Sequence, residues 1–110
     1  MIIKLDPTKV AKIENQQRSL LTLSLTQLIT GLVKEKWIRD ADGIEWAGGT
    51  LPDTVISLIQ DLPVDEQIAA KLQALSPIIS RLDTIIVLLG NSNNKSLSEI
   101  DEFFKIYSKI

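Results

Sequence analysis

The chain contains no cysteine and no histidine, one methionine, and only two Trp, two Phe and one Tyr in 110 residues. Those absences remove whole classes of chemistry: thiolate nucleophiles, disulfides, zinc sites of the Cys/His kind, imidazole bases and haem held by histidine. Cations are scarce as well, with 12 Lys and Arg against 14 Asp and Glu, a formal net charge of −2 and a pI near 5.0. Phosphate neutralisation needs clustered Lys and Arg, so nucleic acid is not the expected partner. A long apolar run is missing too. The start, Met1-Ile2-Ile3-Lys4-Leu5-Asp6-Pro7, has no apolar signal region, and the longest uncharged run, Ser19 to Val33, is studded with Ser, Thr and Gln. Neither export by such a signal nor a membrane span is expected. What remains is 45% apolar and 24% charged, the make-up of one folded globular domain. A chain this short buries about 60 to 65% of its unfolded surface, so support from a partner surface is plausible.

Along the chain, Ile2-Ile3-Lys4-Leu5 reads as a short strand or extended arm, stopped at Asp6-Pro7, where Asp suits an N-cap and Pro a first helical residue. From Pro7 to about Thr22, Val10, Ile13, Leu20 and Leu21 lie at helical spacing, but Gln16, Gln17 and Arg18 leave the apolar seam thin. That helix either forms a short coiled coil, with Val10, Ile13, Gln17 and Leu20 on the seam, or lies loosely on its own domain. Leu21 to Thr26 alternates like a strand, yet Ser24-x-x-Gln27 is a capping-box pattern, and Leu28, Ile29, Leu32 and Val33 carry the longer helical period to about Lys36. Asp40, Asp42, Gly43, Gly48 and Gly49 predict an irregular connection. Thr50 then caps a helix with Val55, Ile56, Leu58, Ile59 and Leu62 inward, which Pro63 stops. A helix from about Asp65 places Ile68, Ala69, Leu72 and Leu75 inward. Ser76-Pro77 repeats the cap-then-Pro signature, and Ile78, Ile79, Leu82, Ile85, Ile86 and Leu89 form the cleanest apolar stripe, capped by Gly90. After the polar run Asn91 to Asn94, Ser96-x-x-Glu99 is a second capping box, with Ile100, Phe103, Phe104 and Tyr107 on the last inward face.

Each candidate site has a plainer reading that outweighs it. Asp40-x-Asp42-Gly43-x-Glu45 invites calcium, but an EF-hand loop wants Gly sixth and Glu twelfth, where Glu45 and Leu51 stand; a turn with solvated carboxylates is expected instead, and no metal. Ser and Thr are plentiful, yet none sits in a Gly-flanked elbow, and Gly48-Gly49 lacks the Lys and further glycines of a phosphate loop, so no catalytic residue and no cofactor is assigned. Lys34, Lys36 and Arg39 beside Trp37 fit the solvated cations of a helix C-terminus, with Trp37 as a buried anchor.

Met1-Ile2-Ile3-Lys4-Leu5-Asp6-Pro7-Thr8-Lys9-Val10-Ala11 resembles the start of small proteins encoded beside tail-fibre genes in tailed bacteriophages and prophages. A second segment from the same gene neighbourhood is similar at Thr26-Gln27-Leu28, Trp37-Ile38, Ile44-Glu45-Trp46-Ala47, Leu88-Leu89-Gly90 and Ser98-Glu99-Ile100-Asp101-Glu102-Phe103-Phe104. Together these short motifs cover a little over a quarter of the chain. The pattern departs where many such proteins carry His-Pro-Leu, since Arg81-Leu82-Asp83-Thr84-Ile85-Ile86 runs on unbroken. The resemblance implies a non-enzymatic tail component, chaperone-like or adaptor, that binds a tail fibre or neighbouring tail protein. It implies work in the host cytoplasm during assembly, with the virion tail as the other place. The reading from another class is a small helical phage regulator or inhibitor that binds a host protein.

The expected architecture is all-α, about five helices with an N-terminal extended arm or short strand. It divides into a partner-binding arm and polar helix, residues 1–23, and a helical domain, residues 24–110. The core is expected at Leu28, Ile29, Leu32, Trp37, Ile56, Ile59, Leu72, Leu82, Ile85, Ile86, Leu89, Ile100, Phe103 and Phe104. The expected partner-binding residues are Ile2, Ile3, Leu5, Val10, Ile13 and Leu20, against a tail protein or a second copy of the chain, with no nucleic acid and no membrane. Ile3 and Leu5 share one face of a strand that either pairs with a β-rich partner or folds back on its own helices.

Overall fold

The computed structural model describes Gln17, Arg18 and residues 20–110. Leu23 turns its side chain into the core from a short strand, β1 (Thr22–Ser24), so the helix expected to reach Thr22 has ended before it. Ser24 closes the strand and starts the next helix. Its hydroxyl accepts from the Gln27 N–H at 3.1 Å and the Gln27 side-chain oxygen accepts from the Ser24 N–H at 2.9 Å, the reciprocal pair that satisfies two orphan donors of α1 (Leu25–Lys34). The helix stops two residues short of Lys36. Lys36 takes a left-handed φ of 60°, and the Lys36 and Trp37 N–H groups donate to the carbonyls of Val33 and Leu32 at 3.1 and 2.8 Å. This Schellman turn folds Trp37 back onto the core.

The segment expected to be irregular is helical: α2 spans Asp40–Ala47. Asp40 and Asp42 complement its N-terminal dipole, and Gly43, expected in a turn, is instead the contact point with α1. A Cβ on Gly43 would lie 2.4 Å from Val33 Cγ2, so the helix tolerates a poor helix former in exchange for close approach. Next come α3 (Asp53–Gln60), whose N-cap is Pro52 and not Thr50, and α4 (Val64–Ala74).

The largest departure falls at residues 76–90. In place of one long helix the chain forms β2 (Ile78–Ser80), a turn, and α5 (Thr84–Ser92). β2 runs antiparallel to β1 with Leu23 opposite Ile79, and the ladder extends at both ends, from the Leu25 N–H to the Pro77 carbonyl and from the Arg81 N–H to the Leu21 carbonyl, each 2.9 Å. Three residues are too few to show a period of two, whereas the apolar spacing of 78 to 89 happens to fit a helix. Gly90 does not cap α5 but lies inside it, where a Cβ would come 2.4 Å from Ile100 Cδ1. The cap falls on Asn93, with Asn94 at φ 56° and the Lys95 N–H donating to the Gly90 carbonyl at 2.9 Å, a second Schellman turn. Ser96 and Glu99 form the expected capping box of α6 (Leu97–Tyr107).

The described chain is thus mostly helical, six helices and one two-stranded sheet. Of the expected core, Leu28, Ile29, Leu32, Trp37, Ile59, Ile85, Ile86, Leu89, Ile100, Phe103 and Phe104 are buried, and Ile56 is half-buried. Leu72 and Leu82 are exposed, because α4 turns its other face inward and the break after β2 takes Leu82 off the stripe. Leu23, Ile38, Trp46, Leu51, Val55, Ala70, Ala74, Ile79 and Tyr107 complete the core.

Candidate protein-binding surface

α4 is docked by its small and polar side chains. Ala70 and Ala74 are fully buried, the Trp46 indole N–H donates to the Ala74 carbonyl at 2.8 Å, and the Gln67 amide donates to the Leu62 carbonyl at 2.7 Å. Gln73 accepts from the Thr84 N–H at 3.3 Å, tying the end of α4 to the start of α5. The large apolar side chains point the other way. Val64, Ile68, Leu72 and Leu75 are 74, 58, 69 and 42% exposed, at i, i+4, i+8 and i+11 along one face. This reverses the expected orientation, in which Ile68, Ala69, Leu72 and Leu75 face inward. The signal is present in the sequence. A helix with bulky residues at 64, 68, 72 and 75 and alanines at 70 and 74 has two apolar faces, and alanines allow the closer approach to its own domain.

Single exposed apolar side chains are ordinary, but four aligned on one helix form a patch of the kind that marks a protein contact. Burying each contributes about 1.5 to 3 kcal/mol that the isolated domain does not gain. Asp61, Asp65 and Glu66 are exposed at the start of this face and Lys71 stands in its last turn, which gives the surface an acidic end. Ile78 and Leu82 are further exposed apolar residues just after α4 in sequence. Of the expected partner-binding residues, Leu20 is 80% exposed, while Ile2, Ile3, Leu5, Val10 and Ile13 lie outside the described residues.

Two ion clusters hold the frame around these surfaces. Asp42, expected as a solvated turn carboxylate, is buried: it accepts from Arg39 at 2.9 and 3.2 Å and from the Thr54 hydroxyl at 2.9 Å. The Arg39 hydrogen bond holds its carboxyl below the usual range even though burial opposes that. In the second cluster, Asp101 accepts from Arg81 at 2.8 Å and from Arg18 at 3.0 and 3.2 Å.

Among the described residues no group of three or more acidic side chains is placed to hold a metal ion, and no helix is long and apolar enough to cross a membrane. Comparison with protein families, curated proteins and solved structures finds no match for the chain.

Tyr107, the single tyrosine, is buried with its hydroxyl donating to Glu35 at 2.7 Å, and burial together with that carboxylate pushes its pKa up to about 12. A phenol whose folded pKa lies above the unfolded value of about 10 contributes stability in full below pH 10 and loses it as pH rises through the folded value. Tyrosinate absorbance in native protein is therefore expected to titrate near pH 12, with melting temperature falling between pH 10 and 12 and that fall reduced in Tyr107→Phe. A native midpoint at about 10 would mean that the hydroxyl is solvated.

Proposed function

We propose that this protein is a non-enzymatic bacteriophage tail component that binds a tail fibre or neighbouring tail protein as a chaperone-like or adaptor subunit in the host cytoplasm. The observation that carries the binding role is the outward apolar face of α4, a helix whose own domain is already satisfied by Ala70 and Ala74. The resemblance of Met1 to Ala11, and of the segments up to Phe104, supplies the class of partner. Leu20 and the preceding Ile2, Ile3, Leu5, Val10 and Ile13 are proposed as a second contact, suited to strand addition or a helical seam.

Co-expression with a candidate tail-fibre protein tests both the surface and the partner. The wild type should raise the yield of soluble fibre and co-purify with it. Ile68→Glu combined with Leu72→Glu should abolish co-purification while leaving the melting temperature within a few degrees, since exposed substitutions usually change stability by less than about 0.5 kcal/mol each. Co-purification retained by the double variant would remove α4 from the reading. Failure of the wild type to affect the fibre would remove the tail-fibre partner.

A further inference from the structure

The two Schellman turns converge on one recess. Trp37 is the first residue after the left-handed Lys36, and Lys95 the first after the left-handed Asn94; the Asn93 amide donates to the carbonyls of Leu89 and Trp37, at 2.8 and 3.4 Å, and so links the turns. Between them and the outer face of α6 lies a cavity of about 310 Å³. Its apolar wall is the Trp37–Phe103 stack, ring centroids 4.5 Å apart, extended by Ile106. Its polar wall is acidic: Glu35, which accepts from Tyr107, with Glu99 and Glu102 on α6. The C-terminal ends of α1 and α5 bring negative dipole poles and the first turn of α6, at Ser98 and Glu99, a positive one, so the carboxylates set the sign of the recess.

One cation already occupies the edge of this recess. The Lys95 ammonium sits 5.8 Å from the Trp37 ring centroid and 4.0 Å from a Glu99 carboxylate oxygen, a long and half-exposed arrangement. With three carboxylates against one ammonium the recess keeps a deficit of positive charge. The carboxylates are too dispersed to hold a metal ion, and a volume at the low end of small-molecule sites suits one side chain better than a cofactor. A guanidinium meets these conditions together. It is planar, stacks on aromatic faces, is more weakly hydrated than an ammonium, and donates to several carboxylates at once.

We propose that the recess formed by Trp37, Phe103, Ile106 and the carboxylates of Glu35, Glu99 and Glu102 binds an arginine side chain of a protein partner, with Lys95 holding the place until it arrives. This site is separate from the α4 face and does not depend on that face being a contact.

The two Trp indole N–H resonances of the full-length protein report it directly, Trp37 at the recess and the fully buried Trp46 as internal reference. N-acetyl-arginine amide should shift Trp37 saturably and leave Trp46 still. N-acetyl-citrulline amide, the same shape without the charge, should shift neither, and N-acetyl-lysine amide should bind more weakly than the arginine probe. Glu102→Gln, at an exposed position that the fold does not need, should weaken arginine binding about two- to fivefold, the range of an exposed ion pair, and Lys95→Met should strengthen it by a similar factor. An equal response to arginine and citrulline, a non-saturating shift, or affinity unchanged in both variants would each overturn the assignment.

Discussion

Ile85→Asp is expected to abolish folding. Ile85 is fully buried in the first turns of α5, within the apolar cluster that forms the core of the domain. Removing its burial forfeits about 1.5 to 3 kcal/mol, and a carboxylate in its place, with no cation built to meet it, costs several kcal/mol more or stays protonated at a comparable penalty. A domain of this size has about 5 to 15 kcal/mol in all. Far-ultraviolet circular dichroism at room temperature should show most of the helical signal gone. Ile85→Val, which only trims a methyl, should stay folded with about 0.5 to 1.5 kcal/mol lost. An aspartate variant that melts with the wild type would mean that this face of α5 does not point into the core.

Asp101→Ala should cost nearly as much, for an electrostatic reason. Arg81 is 2% exposed, and apart from Asp101 its guanidinium has the Leu97 carbonyl at 3.3 Å. Taking the carboxylate away leaves a buried cation with one neutral acceptor, a situation that costs about 3 to 5 kcal/mol when a buried pair is broken from one side. The loss belongs to the stranded charge and not to the attraction itself. Arg81→Met combined with Asp101→Leu should therefore recover the share that belongs to Arg81, leaving what Arg18 loses with the same carboxylate, and urea unfolding of Arg81→Met, Asp101→Leu and the double variant gives the coupling directly. A loss below about 0.5 kcal/mol in Asp101→Ala would show that water reaches Arg81 and relieves it.

Arg81 also marks the limit of what local spacing reveals. Capping boxes are legible at Ser24 and Ser96, because that signal is a fixed spacing of two residue types satisfying local donors. The inward face of α6 is legible for a similar reason: Ile100, Phe103, Phe104 and Tyr107 repeat over two turns with no competing face. The strand at Ile78–Ser80 is not, since what makes it a strand is its pairing with Thr22–Ser24, far back in the chain. A charged residue in the middle of an apolar run at 81 is the local sign of the break, and it is explained by Asp101 and the Leu97 carbonyl, which lie on α6. Gly43 and Gly90 mislead in the same direction. Each has the sequence surroundings of an end of structure, and each is a place where a missing Cβ lets helices touch. The recess beside Trp37 cannot be foreseen from spacing, because its walls come from two helix ends and a third helix.

For the α4 face the inversion has a functional consequence. A helix that turns alanines to its own domain and Val64, Ile68, Leu72 and Leu75 to solvent forgoes burial that a partner can supply. The isolated protein should accordingly be less stable than its complex, in proportion to partner concentration.

The proposed binding role of α4 is tested most directly by amide hydrogen exchange of the protein, alone and with a candidate tail-fibre partner. New protection is expected over residues 64–75, together with residues 2–20, and little change in α6, whose inward face is buried in the core. Protection confined to other surfaces, with residues 64–75 exchanging as fast in the mixture as alone, would contradict that role.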